Sequence, residues 1–168
     1  MSEIRVDTLK NRAGTSTITT ADVTNTPAFE AKVSSTQAIT DNTQTQVQFG
    51  NEIFDTDSCY STSTYRFTPN VAAKYFCYLR IGVNSNASAN LQNCYSFLRK
   101  NGSPVERSHF NHDGNNQRYA TLNISAIVEL NGTSDYIDAA VQSADSSGNA
   151  DVYGYDYTLF GAYKLIGL

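Results

Sequence analysis

The residues able to do chemistry are few and scattered. The two histidines, His109 and His112, fall in the stretch HFNHDG with Asp113 beside them. In a symmetric trimer, three copies of that cluster meeting on an axis would make a zinc or nickel site. Two imidazoles at this spacing in a polar turn read more simply as solvated loop residues. Asp55 and Asp57 in FDTDS offer carboxylate oxygens of the kind calcium takes, yet no further acidic cluster accompanies them. A structural turn accounts for them. Cys59, Cys77 and Cys94 are odd in number and lack a Cys-x-x-Cys pairing. They are read as reduced, with Cys77 as filler in an apolar strand. No nucleophile with a base and no supported carboxylate pair is evident. The expectation is therefore no enzyme, no metal and no cofactor.

The most suggestive stretch is DVYGYDYTLF. Read as a strand, it projects Tyr153, Tyr155 and Tyr157 on one face, a hydroxyl-bearing aromatic row suited to carbohydrate stacking or protein recognition. The competing and simpler reading continues these tyrosines into the core or into a subunit contact.

Composition narrows the field. In 168 residues, 40% are hydrophobic, enough for a packed core, while only 17% are charged. Ser, Thr and Asn fill the gap and favour strands and turns, because their short polar side chains compete with helical backbone bonds. Twelve Lys and Arg against 16 Asp and Glu give a net charge of −4. That leaves no basic footprint for nucleic acid and no polybasic membrane patch. No apolar run is long enough for a membrane span, and the charged opening MSEIRVDTLK lacks the apolar stretch of a signal peptide. Folding in a cytosol is expected.

Two parts position these residues. Residues 1–26 are almost wholly polar after Ile4, Val6 and Leu9 and cannot bury a core of their own. They read as an extended arm that docks through those three side chains. Residues 27–168 read as short strands divided by turn-rich stretches such as NSNASAN, KNGS, LNGTSD and SADSSGNAD. The longer strands are expected at 74–83, 94–99, 119–130, 136–142 and 155–166. No useful stretch carries a helical apolar period. The class is all-β, an antiparallel two-sheet sandwich.

Two strands carry apolar residues on both faces. In YFCYLRI, Tyr75, Cys77, Leu79 and Ile81 alternate with Phe76 and Tyr78; the last strand adds Phe160 and Tyr163. A sandwich covers one face of each sheet, and monomers rarely tolerate a large bare apolar patch. Phe76, Tyr78, Phe160 and Tyr163 are therefore expected at a subunit contact.

The aromatic spacing through Phe49, Asp55, Tyr60, Phe67 and Tyr75 resembles the signature of the globular head of the complement q-subcomponent, which shares the tumour-necrosis-factor-like jelly roll. Ala73, Cys77 and Leu79 stand where that signature has Gly, Phe and an aromatic. PAFEAKVSS resembles the family's first strand and TLFGAYKLI its last. The resemblance implies a jelly roll packed as a homotrimer about a threefold axis, with the two-faced strands turned toward the axis. The opening SEIRVDTLKNRAG resembles the start of tail-fibre and other virion proteins of phages infecting marine cyanobacteria. Together these imply a virion structural protein made in the host cytoplasm, its arm held by another virion protein. It would serve as a capsid decoration or a tail-fibre module, or alternatively as a lectin-like module that binds a host glycan or protein.

Overall fold

A computed structural model describes residues 8–10, 13–14, 17–19, 24–86, 88–112 and 114–166. A small hairpin comes first: β1 (Thr8–Lys10) pairs antiparallel with β2 (Thr17–Thr19). The domain follows as β3 (Ala28–Lys32), β4 (Gln37–Ile39), β5 (Thr45–Gln46), β6 (Asn51–Asp55), β7 (Tyr60–Ser61) and β8 (Arg66–Phe67). Then come the long strands β9 (Ala72–Ser85), β10 (Leu91–Lys100), β11 (Ser103–Asn111), β12 (Tyr119–Asn131) and β13 (Ile137–Asp145). Short β14 (Ala150–Val152), a 3₁₀ turn at Tyr155–Tyr157 and β15 (Leu159–Lys164) close the chain.

These strands form two antiparallel sheets. In the seven-stranded sheet, β9 pairs with β12 along nearly its whole length on one side. On its other side it pairs with β15 over Tyr75–Arg80 and with β14 over Val83–Ser85. β3 and β6 continue from β15, and β4 continues from β14. The six-stranded sheet runs β11–β10–β13, with β5 and β8 sharing the next place beside β13 and β7 beyond β8. The all-β jelly-roll expectation holds.

Strand alternation explains the core. Tyr75, Cys77, Leu79, Ile81 and Val83 of β9 are buried, as are Leu122, Ile124, Val128 and Leu130 of β12. Cys94, Leu98, Ile137, Ala139 and Val141 meet them from the other sheet. Phe29 is the aromatic hub. It stacks on Tyr60 at 4.6 Å and on Phe67 at 4.5 Å, and meets Phe160 edge-on at 5.0 Å. The Tyr60 hydroxyl donates to the Phe49 carbonyl at 2.9 Å, so burying that phenol leaves no polar atom unpaired. Four of the five aligned signature residues (Phe49, Tyr60, Phe67 and Tyr75) thus build the interior. The fifth, Asp55, accepts from the backbone N–H of Tyr60 at 2.7 Å and fixes the turn between them.

Several strands escaped the sequence reading. β11 is exposed along most of its length and β6 along nearly all of its own, so neither carries an apolar alternation. The strand expected from residue 155 begins at Leu159 instead, because residues 155–157 wind into the 3₁₀ turn. Buried Thr158 pins that turn. Its hydroxyl donates to the Tyr153 carbonyl at 2.7 Å and accepts from the Gly82 N–H at 3.0 Å.

Candidate assembly and recognition face

The outward face of the seven-stranded sheet collects the residues of interest. Register builds it row by row. Phe76 stands opposite Ile127 on β12 and opposite Tyr163 on β15. The next row places Tyr78 between Ser125 and Gly161, with Glu30 and Phe54 beyond. Phe76 and Tyr163 rings lie 5.4 Å apart, and Phe76 and Tyr78 rings 6.4 Å apart. All three are half-buried within the single subunit, while Ile127 is 59% exposed.

Gly161 is required by this arrangement. A Cβ there would come within 2.3 Å of the Tyr78 ring, so the ring lies flat across the strand only because the side chain is absent. The Tyr78 hydroxyl then reaches Glu30, donating at 2.9 Å. Burial first, and then the carboxylate beside it, push the phenol's pKa upward. Tyr78 is therefore a neutral, anchored donor.

Phe160 does not belong to this face, contrary to the sequence expectation. It is fully buried between the sheets, against Phe29 and Phe49. The reason is parity: residues 160 and 163 are an odd number apart, so a regular strand sends them to opposite faces. Phe160 pairs with inward-facing Leu79, and Tyr163 with outward-facing Phe76.

Beyond the aromatic rows lies a polar belt. The Lys32 ammonium meets the Asp156 carboxylate at 2.6 Å, and the Arg80 guanidinium donates to the Asp156 carbonyl. The hydrogen bond from Lys32 holds the Asp156 carboxyl below its usual value. Past this belt, Tyr153 and Tyr157 join Tyr119 around Gly82 in a cleft of about 330 Å³. Two members of the expected tyrosine row thus meet, though by way of the 3₁₀ turn and not along a strand. The side chain of Tyr155 lies outside the described residues, as do Ile4, Val6 and the side chain of Leu9; the backbone of Leu9 pairs with Ile18.

Tyr119 and Ile127 also belong to this face; Ile127 breaks the polar phase of its strand in the sequence, but neither residue was assigned to a contact or a site from it. Both sit in the solvent phase of the alternation in β12, among Thr121, Asn123, Ser125 and Glu129. A large apolar residue in that phase was the available signal.

The chemistry-bearing residues stay apart. His109 stacks on Tyr95 at 4.1 Å, almost parallel, and His112 packs against Phe110 at 4.0 Å. Asp113 lies outside the described residues. Among the described residues, no group of three or more His, Cys, Asp or Glu could hold a metal, and no helix is long and apolar enough to cross a membrane. Cys59, Cys77 and Cys94 are free and buried. Desolvation pushes the Cys77 and Cys94 thiols up to about 12, which holds them in the unreactive thiol form.

The sheet order and the long central β9 define the class: a two-sheet jelly roll of the kind found in tumour necrosis factors and in the globular heads of complement proteins. In particular, the chain is similar to Eiger, a TNF from S. frugiperda, with a TM-score of 0.62 and 10% identity over 84% of this chain and 93% of that one. Murine APRIL gives a TM-score of 0.59 and 10% identity over 82% of this chain and 98% of that one. The globular domain of zebrafish complement 1qA protein gives 0.54 and 13% identity over 84% and 98%. No family model and no curated protein matches the sequence. At such identities the likeness establishes the fold and nothing finer.

Proposed function

We propose that the chain is a non-enzymatic homotrimeric module of a phage particle, a capsid decoration or tail-fibre projection whose residues 1–26 attach it to another virion protein. One observation carries the trimer. Among the described residues, the large apolar side chains left exposed are Ile53, Phe54, Val105, Tyr119, Ile127, Tyr157 and Ile166. Only Val105 belongs to the six-stranded sheet; the others lie on the seven-stranded sheet or on segments adjoining β15. Exposed Ile127, with half-buried Phe76, Tyr78 and Tyr163 beside it, makes the centre of that face suit a closed contact between identical copies, with Tyr119 and Tyr157 outside it at the far end. The jelly-roll likeness supports the same reading, and the opening segment's likeness to virion proteins supports the location.

Phe76→Asp tests the assembly. Light scattering is expected to give three subunits for the native chain and one for the variant, whereas Val105→Asp on the opposite sheet leaves the trimer intact. A Phe76→Asp protein that remains trimeric would place the contact elsewhere. Cryo-electron microscopy of whole particles then assigns capsid or tail.

A second reading, a lectin-like module for a host glycan, is favoured by one feature, the tyrosine cleft at the far end of the same face.

A further inference from the structure

The cleft is built more specifically than an exposed aromatic patch. Tyr153 is its back wall. Its ring meets Tyr119 at 6.0 Å with 73° between the planes, and Tyr157 at 4.9 Å with 62°. Tyr119 and Tyr157 are 54% and 56% exposed, so they are the open side walls. Gly82 is the floor. A Cβ at that position would lie 3.1 Å from the Tyr157 Cβ and 3.5 Å from that of Tyr153, so the recess needs the missing side chain. Thr158 locks the turn that carries Tyr157, through the bonds to Tyr153 and Gly82 described above. The backbone that carries Tyr153 and Tyr157 is therefore fixed against β9 before any ligand arrives.

The lining selects the ligand's chemistry. Apart from the phenols, the cleft presents Gly82, Val83, Ala120 and Thr121, and the Arg118 guanidinium lies over the Tyr119 ring, 5.3 Å from its centre. An anionic ligand would find that cation already engaged over an aromatic ring, and a cationic one would be desolvated beside a like charge. A purely apolar one would leave the phenol hydroxyls unpaired. A neutral sugar ring satisfies both demands, with C–H faces for the aromatic walls and hydroxyl edges for the phenols. At about 330 Å³, the recess sits at the small end of ligand sites, which run from about 300 to 1,000 Å³. It has room for a sugar ring.

We infer that this cleft is a binding site for a single neutral pyranose residue, stacked between Tyr119 and Tyr157. The inference rests on the second reading above. Gly82 is six residues along β9 from Phe76, about 20 Å at the rise of a strand, so the cleft and the central aromatic contact are separable by mutation.

The test uses the full chain on an array of defined neutral and acidic glycans, followed by titration calorimetry with the best monosaccharide. Binding of a neutral sugar is expected, weakened about tenfold or more by Tyr119→Ala and by Tyr157→Ala and blocked by Gly82→Val, with the native oligomeric mass kept. Glycan binding that none of the three variants alters would overturn the cleft but leave the lectin reading standing. Silence across the whole array would remove both. Loss of the oligomer in Tyr119→Ala would reassign the cleft to subunit contact.

Discussion

The outward faces of the two sheets solve the same problem in opposite ways. On the six-stranded sheet, a buried carboxylate that faces outward finds its partners within the subunit. Asp138 is 1% exposed on β13 and is gripped by Arg99 through two bonds of 2.7 and 2.9 Å, with Gln46 donating at 3.0 Å. Arg66 adds its charge at 3.9 Å and lies over the Tyr136 ring at 4.1 Å. On the seven-stranded sheet, the corresponding face offers rings and an aliphatic side chain to whatever lies outside. Sheet position alone therefore does not decide solvent exposure. The six-stranded sheet seals a carboxylate among its own side chains, and the seven-stranded sheet leaves Ile127 exposed beside half-buried Phe76, Tyr78 and Tyr163.

That contrast can be broken at the buried carboxylate. Asp138→Ala strands Arg99 in a desolvated site and is expected to cost about 3–5 kcal/mol in urea unfolding, as removing one member of a buried pair does. Assembly of the surviving folded protein should be unchanged. A loss under 1 kcal/mol would mean that the face is solvated after all.

A sharper version compares two phenylalanines of opposite parity. Phe160→Ala should cost about 3–5 kcal/mol at any protein concentration, because it opens a cavity between the sheets. Phe76→Ala should instead act through assembly. It would flatten the dependence of Tm on protein concentration that a trimer displays. Equal, concentration-independent losses for both would erase the distinction between core and contact.

The smallest effect concerns acid. Burial raises the Asp145 carboxyl, but hydrogen bonds from the Ser147 hydroxyl at 2.6 Å and the Ser147 backbone N–H at 2.8 Å oppose it, and the group is held below its ordinary value of 3.8. A depressed carboxylate stabilises the fold above its unfolded pKa, and that contribution drains away as pH falls through the folded value. Stability should thus decline below about pH 4, and the Asp145→Asn protein should lose less over that range. An identical acid limb in both would show that the carboxylate is not responsible.

Much of this was legible in the sequence, for definite reasons. YFCYLRI announced a strand with two apolar faces because side chains alternate, and the aromatic spacing announced the core because rings of that size have nowhere else to go. Phe160 was misplaced because both apolar phases of the last strand were taken to the contact, and only register with β9 separates them. β6 and β11 were invisible because an exposed edge strand has no buried phase to read. Tyr119 joined Tyr153 and Tyr157 through pairing across the sheet, which no local spacing encodes.

The parity of β9 has a consequence for how this molecule can change. Odd-numbered positions from 75 to 83 face the interior, and even-numbered positions from 76 to 82 carry both the aromatic rows and the floor of the cleft. Lineages can therefore swap partners or ligands by replacing even-numbered residues while the interior stays untouched. Loss of one codon within the strand would turn the molecule inside out along its central axis. Length variation should accordingly gather in the turns that bracket the strand, and never between residues 75 and 83.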